Sequence, residues 1–139
     1  MGDKSLRTEP NAKTDALAHA VIGGAIEVHR ALGPGFLEEV YARALALELR
    51  SRGIAFEPEK SIRVNYKGQV VGEGKLDLLV GACLIVELKA VQTLAPIHTA
   101  QVIAYLKATG LTLGLLINFN VVRLRDGIRR IVLSPDNDA

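Results

Sequence analysis

The chain has 139 residues, of which 49% are hydrophobic and 23% charged, and its formal net charge is +2. This apolar fraction excludes a disordered chain, because enough apolar surface is available to offset the entropy lost on folding. No apolar run reaches the roughly 18 residues of a membrane span, and the start lacks the apolar core of a signal peptide. One cysteine, Cys83, cannot form an internal disulfide and favours a cytoplasmic location. The small basic excess permits nucleic-acid binding without arguing for it.

Polar segments lie at both ends of the chain. Residues 1–13 and 134–139 show no periodicity, which predicts a flexible N-terminal tail and a C-terminal tail. Residues 14–133 contain neither a linker nor an internal repeat. A length of this order suits one domain, and we expect residues 14–133 to form it.

Two helices are predicted in the first part of this domain. The first is capped by Thr14 or Asp15, and its apolar residues recur at helical spacing as far as Leu32. Gly33-Pro34-Gly35 ends it, because proline cannot continue the hydrogen bonding. The second runs from about Phe36 to Arg52. Its predicted buried stripe consists of Leu37, Val40, Ala44 and Leu47.

The period then changes from about 3.6 to 2, which indicates strands. Predicted strands are Ile62 to Tyr66, Gln69 to Val80 and Cys83 to Lys89, followed by a helix from Ile97 to Thr109 that Pro96 opens. Leu111 to Asn118 is a continuous apolar run, typical of a strand covered on both faces. Val121 to Leu124 and Ile128 to Leu133 then suggest a hairpin around Asp126-Gly127. With the closing hairpin counted as one unit, the order α-α-β-β-β-α-β-β predicts an α/β fold with a mixed sheet.

Three charged residues on two neighbouring strands carry the most chemical information. Alternation places Glu87 and Lys89 on one face of their strand. An odd loop, such as Gly81 to Cys83, would bring Asp77 opposite Glu87. A strict two-residue turn would instead put the two carboxylates on opposite faces.

Converging carboxylates and a lysine would suit a metal site. Two hard anionic ligands favour Mg²⁺ or Mn²⁺, which binds carboxylates together with water and substrate phosphate. A lysine beside the metal can orient water and neutralise charge that develops on the phosphate. For these three residues taken alone, a cross-strand ion pair on a solvated strand is the favoured explanation.

Three further features accompany this group. Glu38 and Glu39 lie in the first turn of the second helix, where the helix dipole favours carboxylates, and Tyr41 follows Glu38 by three residues. The third helix carries a polar stripe. The Leu116 to Asn120 segment ends in two amides, which an ordinary turn would also explain. The stripe consists of His98, Gln101 and Tyr105.

These residues carry a family resemblance. Gly35, Glu38 and Tyr41 match the motif that names the GxxExxY protein family, a branch of the PD-(D/E)xK nuclease superfamily. Gln101 to Tyr105 resembles the Gln-x-x-x-Tyr helix motif of RecB-like and lambda-exonuclease-like members. Other matching segments, in the family's order between residues 16 and 132, are Leu32 to Gly35, Asp77 to Val80, Ile85 to Ala90 and Leu115 to Asn120. The resemblance implies a restriction-endonuclease-like core, with helices flanking a central mixed sheet.

The resemblance also implies a nuclease that uses Mg²⁺ or Mn²⁺ to hydrolyse phosphodiester bonds in DNA, or less readily in RNA. Asp77 and Glu87 would bind the metal, with the backbone carbonyl of Leu88 as a third ligand. Glu38 would assist the metal directly or through water, and Lys89 would position the attacking water or stabilise the phosphate.

The remaining implied roles are more peripheral. Gln101 and Tyr105 would line the site and contact the nucleic-acid backbone or hold Lys89. His98 would either reach the metal or be structural. One departure is that Leu76 stands where the superfamily often has a proline before the aspartate.

The densest basic patch of the sequence lies near its end. Arg123 and Arg125 would share a face of the predicted hairpin and contact phosphates, although charges that guard a sheet edge would look the same; Arg129 and Arg130 complete the patch. The expected partner is a nucleic acid, DNA rather than RNA, without a membrane; a homodimer or a protein partner remains open. The alternative functions are a nucleic-acid-binding or assembly module that needs a partner for activity, and a structural homo-oligomer.

Overall fold

The computed structural model describes residues 10–134 of the chain. Over these residues the helices are α1 (Ala12–Leu32), α2 (Glu38–Ser51) and α3 (Pro96–Thr109). The strands are β1 (Phe56–Tyr66), β2 (Gln69–Val80), β3 (Leu84–Lys89), β4 (Leu113–Asn118) and β5 (Ile128–Val132), with a 3₁₀ turn at Leu124–Gly127. None of the helices described is both long and apolar enough to cross a membrane.

The five strands form one mixed sheet in the order β1-β2-β3-β4-β5. Only β3 and β4 run parallel, and the other neighbouring pairs are antiparallel. Strands that run parallel need a crossover connection, which α3 provides here. The predicted α/β fold with a mixed sheet is therefore confirmed.

The core consists of two layers, one on each face of the sheet. Leu84, Val86 and Leu88 of β3 pack in the layer beneath α1 and α2, whereas Ile85 packs in the layer beneath α3. Burial on both faces explains why β3 and β4 have apolar runs rather than alternating patterns. Glu87 is the exception in β3, since it is buried and charged.

The first helix begins before the predicted start of the domain. The predicted tails lie largely outside the described residues, but α1 begins at Ala12, inside the predicted N-terminal tail. Its cap is Asn11, whose side chain accepts a hydrogen bond from the Thr14 backbone N–H at 2.8 Å. The prediction of Thr14 or Asp15 as the cap is wrong, because Thr14 is buried and already lies in the first turn.

The predicted buried face of α2 is also wrong, except for Ala44, which packs partly buried against the core. The buried residues are Tyr41, Leu45 and Leu49, whereas Leu37 and Leu47 are 79% and 67% exposed. The helix carries apolar residues on more than one face, and its contact with α1 and the sheet selects which of them is buried. Periodicity alone could not make that selection.

The predicted C-terminal hairpin is wrong in its first strand. Residues 121–123 form bends and Leu124–Gly127 a 3₁₀ turn, and β5 pairs with β4 rather than with residues 121–124. Leu124 is buried in the core and Gly127 packs against the end of β4. These contacts pull the segment out of an extended conformation.

Gly127 provides a test of this packing. A Cβ atom at Gly127 would lie 2.1 Å from the Asn118 carbonyl oxygen, so the backbone must shift. We expect Gly127→Ala to lower the free energy of unfolding by about 2–3 kcal/mol, measured by urea denaturation. The control is Gly72→Ala, because a Cβ there meets no atom within 4 Å and its φ is not positive. Equal stability of the two variants would contradict the close approach.

Candidate active site

Asp77 and Glu87 meet where β2 and β3 separate. The two strands are paired from Leu78–Val86 to Val80–Leu84, and the three-residue loop 81–83 joins them. In the same register, the next two residues to face each other are Asp77 and Glu87. Here side chains replace the backbone pairing. Glu87 Oε2 accepts from the Asp77 N–H at 2.9 Å, and Asp77 Oδ2 accepts from the Leu88 N–H at 2.8 Å. The odd loop has the geometry that convergence of the two carboxylates requires.

The backbone of β2 is irregular at Asp77. Leu76 packs in the layer beneath α3 and Leu78 in the layer beneath α1 and α2, although residues two apart normally share a face. Opposite Asp77 in the register with β1, Glu59 has a φ of 51°, which is uncommon for a residue other than glycine. Such irregular backbone often occurs at functional sites.

The two carboxylates are held in a form that resists ionisation. Burial and then repulsion from Asp77 raise the pKa of Glu87 to about 8. Burial also raises the pKa of Asp77, against the opposing effects of the Leu88 N–H and the Lys89 charge. Because the two groups interact directly, they titrate as a pair, and near neutral pH this pair retains a proton.

The donor set suits a hard divalent cation. A cation would relieve the repulsion between the Asp77 and Glu87 carboxylates, and Mg²⁺ typically binds to one or two carboxylates while keeping several waters. Among residues 10–134, no group of three or more His, Cys, Asp or Glu side chains is arranged to hold a metal. The Leu88 carbonyl and Glu38 therefore stay predictions as further ligands.

Glu38 is the first residue of α2, on the helix that faces this pair. Partial burial of its carboxyl raises its pKa, and repulsion from Asp77 raises it further. The Glu38 carboxyl therefore lies close enough to Asp77 for the two to interact electrostatically. Glu38 and Asp77 line a groove of 540 Å³ between α2 and the β1–β2 pair, where Arg43 and Arg50 are also exposed to the cavity.

Lys89 ends β3 and is half-buried. Its positive charge lowers the pKa values of Asp77, Glu87 and Glu38 against the effect of burial. The ammonium group therefore acts on all three carboxylates at once. This arrangement differs from an isolated surface ion pair, because the site brings more negative than positive groups together.

Gln101 and Tyr105 approach the site from α3. The Gln101 amide donates to the Tyr105 hydroxyl at 3.3 Å. Burial and then the Glu87 charge raise the pKa of Tyr105, and the tyrosine also hydrogen-bonds with the Lys75 backbone. A Cβ at Gly74 would lie 3.0 Å from the tyrosine ring, so this glycine lets the ring pack over β2. Both polar residues therefore line the α3 side of the carboxylate pair.

His98 has a structural contact. Its Nδ1 accepts a hydrogen bond from the Ala95 N–H at 2.9 Å, which satisfies a free donor at the start of α3. This is one of the two predicted roles. A role at the metal stays a prediction.

Tyr41 supports the segment that leads to Glu38. Its buried hydroxyl donates to the Gly33 carbonyl at 2.5 Å and accepts from the Phe36 N–H at 3.1 Å. Its ring stacks on Phe119, with centroids 4.6 Å apart. The sequence placed Tyr41 in a motif but assigned it no role, because its stacking on Phe119 joins distant parts of the chain.

Asn118 fixes the end of β3, a function that the sequence did not distinguish from an ordinary turn. Its buried amide accepts from the Val91 N–H at 3.0 Å and donates to the Val91 carbonyl at 2.9 Å. Next to it, the Phe119 N–H donates to the Lys89 carbonyl at 2.9 Å. The backbone on either side of Lys89 is thereby held to β4.

We expect Asn118→Ala to lower the free energy of unfolding by about 2–3 kcal/mol, because both Val91 backbone groups lose their side-chain partner. Urea denaturation measures the loss. Asn120→Ala is the matched control, since it removes an amide two residues away that is only half-buried. A loss no larger than that of the control would show that the Asn118 amide does not hold this segment.

Comparison with known proteins identifies the family of the chain. Searches of curated proteins and of solved structures give no match. A family model described as the PD-(D/E)XK nuclease superfamily matches residues 15–131, which include every candidate site residue. The five-stranded mixed sheet with flanking helices is consistent with a restriction-endonuclease-like core. The chain therefore belongs to the PD-(D/E)XK nuclease superfamily.

Proposed function

We propose that the protein is a metal-dependent nuclease that hydrolyses phosphodiester bonds in DNA, with RNA as the less favoured substrate. The observation that carries this proposal is the convergence of the Asp77 and Glu87 carboxylates beside Lys89. Membership of the superfamily supports nuclease activity. Within it, we assign the chain to the GxxExxY branch, on the strength of Gly35, Glu38 and Tyr41.

Each residue of the site has a chemical role in this proposal. When bound, Mg²⁺ or Mn²⁺ would supply Lewis-acid stabilisation of the scissile phosphate. The Asp77 and Glu87 carboxylates would hold the cation. The Lys89 ammonium orients the attacking water and offsets the negative charge that develops on the phosphate.

The surrounding side chains position the substrate. Gln101 and Tyr105 form a polar wall on the α3 side. Tyr105 lies close enough to Glu87 for the Glu87 charge to raise the pKa of the tyrosine. On the other side, the groove along α2 is open to solvent and leads to Asp77. Arg43 and Arg50 in this groove suit contacts with phosphates, because guanidinium groups bind phosphate through paired hydrogen bonds.

A second candidate function is a module of the same fold that needs a partner for activity. The observation that favours it is the apolar surface of α2 and the preceding loop, where Leu37 and Leu47 are largely exposed. Such a surface would suit a protein partner or a second copy of the chain. We place the protein in the cytoplasm in either case, since its one cysteine, Cys83, is unpaired.

The test is a cleavage assay on single- and double-stranded DNA and RNA, with Mg²⁺, Mn²⁺ or EDTA. Asp77→Asn and Lys89→Met are purified in parallel. Cleavage that needs the metal and disappears in both variants would support the nuclease. Equal cleavage by all three proteins would indicate a contaminant, and metal binding without cleavage would favour the partner-dependent module.

A further inference from the structure

A second groove, away from the carboxylate pair, is lined by three arginines. It has a volume of 450 Å³ and lies between the last turns of α1 and the segment that follows β4. Its lining residues are Ile26, His29, Arg30, Arg123, Leu124 and Arg125. We refer to it as the arginine groove. Acidic groups nearby are Glu27, which is 3.6 Å from Arg30 in an exposed pair, and Asp126 of the 3₁₀ turn.

The walls of the arginine groove are held in place by buried contacts. The His29 ring donates from Nε2 to the Val121 carbonyl at 2.8 Å, which ties α1 to the segment after β4. Leu124, which separates Arg123 from Arg125 in the chain, is buried in the core. The exposed guanidinium groups of Arg123 and Arg125 therefore project from an ordered backbone, although this segment is not the predicted hairpin.

The arginine groove and the candidate active site share one edge of the sheet. The segment that carries Arg123 starts at Phe119, whose N–H is bonded to the Lys89 carbonyl at the end of β3. The opposite wall, α1, leads through residues 33–37 to Glu38. A DNA strand that passes the carboxylate pair along this edge would meet both the site residues and the arginines of the groove.

The side-chain chemistry selects a phosphate ligand. Arginine remains charged at every physiological pH, and its planar guanidinium matches two phosphate oxygens. Of the predicted basic patch, Arg123 and Arg125 line the groove. Arg130 instead pairs with Asp15 at 2.5 Å, and Arg129 lies on the edge strand β5. Arg30, 93 positions before Arg123 in the chain, joins them only through the fold.

We propose that the arginine groove binds backbone phosphates of the DNA whose scissile bond lies at the carboxylate pair, without reading its sequence. This inference rests on the proposed nuclease function. The contacts are with phosphates rather than base edges, since the groove offers cationic groups and no exposed aromatic ring for stacking among its lining residues.

The experiment measures binding of a fluorescein-labelled DNA duplex by fluorescence anisotropy, in EDTA and over a range of salt concentrations. The groove variant is Arg123→Gln with Arg125→Gln. The control is Arg63→Gln with Lys67→Gln, which removes the same charge from exposed positions on the β1–β2 hairpin. Arg30→Gln tests the opposite wall, and circular dichroism confirms that each variant is folded.

We expect the groove variant to bind DNA about tenfold more weakly at low salt, whereas the control changes little. The slope of log affinity against log salt should fall by about 1.8, because each lost phosphate contact removes about 0.9 for duplex DNA. In cleavage, the groove variant should have a raised KM and an unchanged kcat. Lysine at both positions should restore most of the salt dependence.

The outcomes separate this inference from the proposed function. If the groove variant binds DNA as tightly as the control, the arginine groove does not bind DNA, and the nuclease proposal is unaffected. Binding that depends on the groove, without metal-dependent cleavage by the wild type, would support the groove and count against the nuclease. If the wild-type protein binds no DNA even at low salt, the proposed role of the arginine groove is wrong.

Discussion

The Glu87→Gln variant is expected to lose roughly a thousandfold in the rate of DNA cleavage, while it becomes more resistant to unfolding. Removal of a carboxylate ligand costs several kcal/mol of transition-state stabilisation, and about 4 kcal/mol corresponds to a thousandfold. Glutamine can still accept the hydrogen bond from the Asp77 N–H, so the strands should stay in place. It also removes a buried charge that repels Asp77.

Single-turnover cleavage and urea unfolding at pH 8 in EDTA measure the two effects. Glu73→Gln is the control, because it makes the same chemical change at an exposed position on β2. Its activity and stability should match those of the wild type. Loss of both activity and stability in Glu87→Gln would instead indicate that the carboxylate is structural, and retained cleavage would exclude Glu87 as a ligand.

The metal-free protein is expected to lose stability as the pH rises from about 5 to 8. Glu87 has a folded-state pKa of about 8 against 4.5 in the unfolded chain, so the folded state binds more protons in this window. The stabilising contribution is therefore complete below pH 4.5 and lost as the pH passes 8. The pKa values of Asp77 and Glu38 are raised too, which acts in the same direction.

The loss should amount to about 2–4 kcal/mol, since one pKa unit corresponds to about 1.4 kcal/mol and the two carboxylates titrate together. Urea denaturation in EDTA at several pH values measures it. At pH 8, Mg²⁺ at about a hundred times its Kd should restore about 2.7 kcal/mol. Glu87→Gln should flatten the pH profile and reduce the metal effect. A profile of the same slope in this variant would show that another group is responsible.

The hydrophobic pattern was sufficient for the class of fold and for the order of the elements, except for the segment 121–124, which is not a strand. The period of 3.6 in residues 12–32 and the apolar runs of β3 and β4 reflect local burial, which repeats along the chain in a readable way. Alternation left two arrangements for Asp77 and Glu87, on one face or on opposite faces, and the three-residue loop of the structure selects the shared face.

Other contacts could not be predicted because they join distant parts of the chain. Arg30 and Arg123 line one groove only because His29 bonds to Val121, and Tyr41 is held by the stacking of its ring on Phe119. The amide of Asn118 looks like any turn residue until its two bonds to Val91 are seen.

The sequence by itself thus determined the class of fold with its mixed sheet, and it singled out Asp77, Glu87 and Lys89 as residues that could converge. These depend on local periodicity and on the register of one short hairpin. Only the tertiary structure decided which face of α2 is buried, how the segment after β4 turns, and where the arginines meet. Those features depend on which surfaces pack together, and such packing minimises exposed apolar area over the whole molecule rather than along the chain.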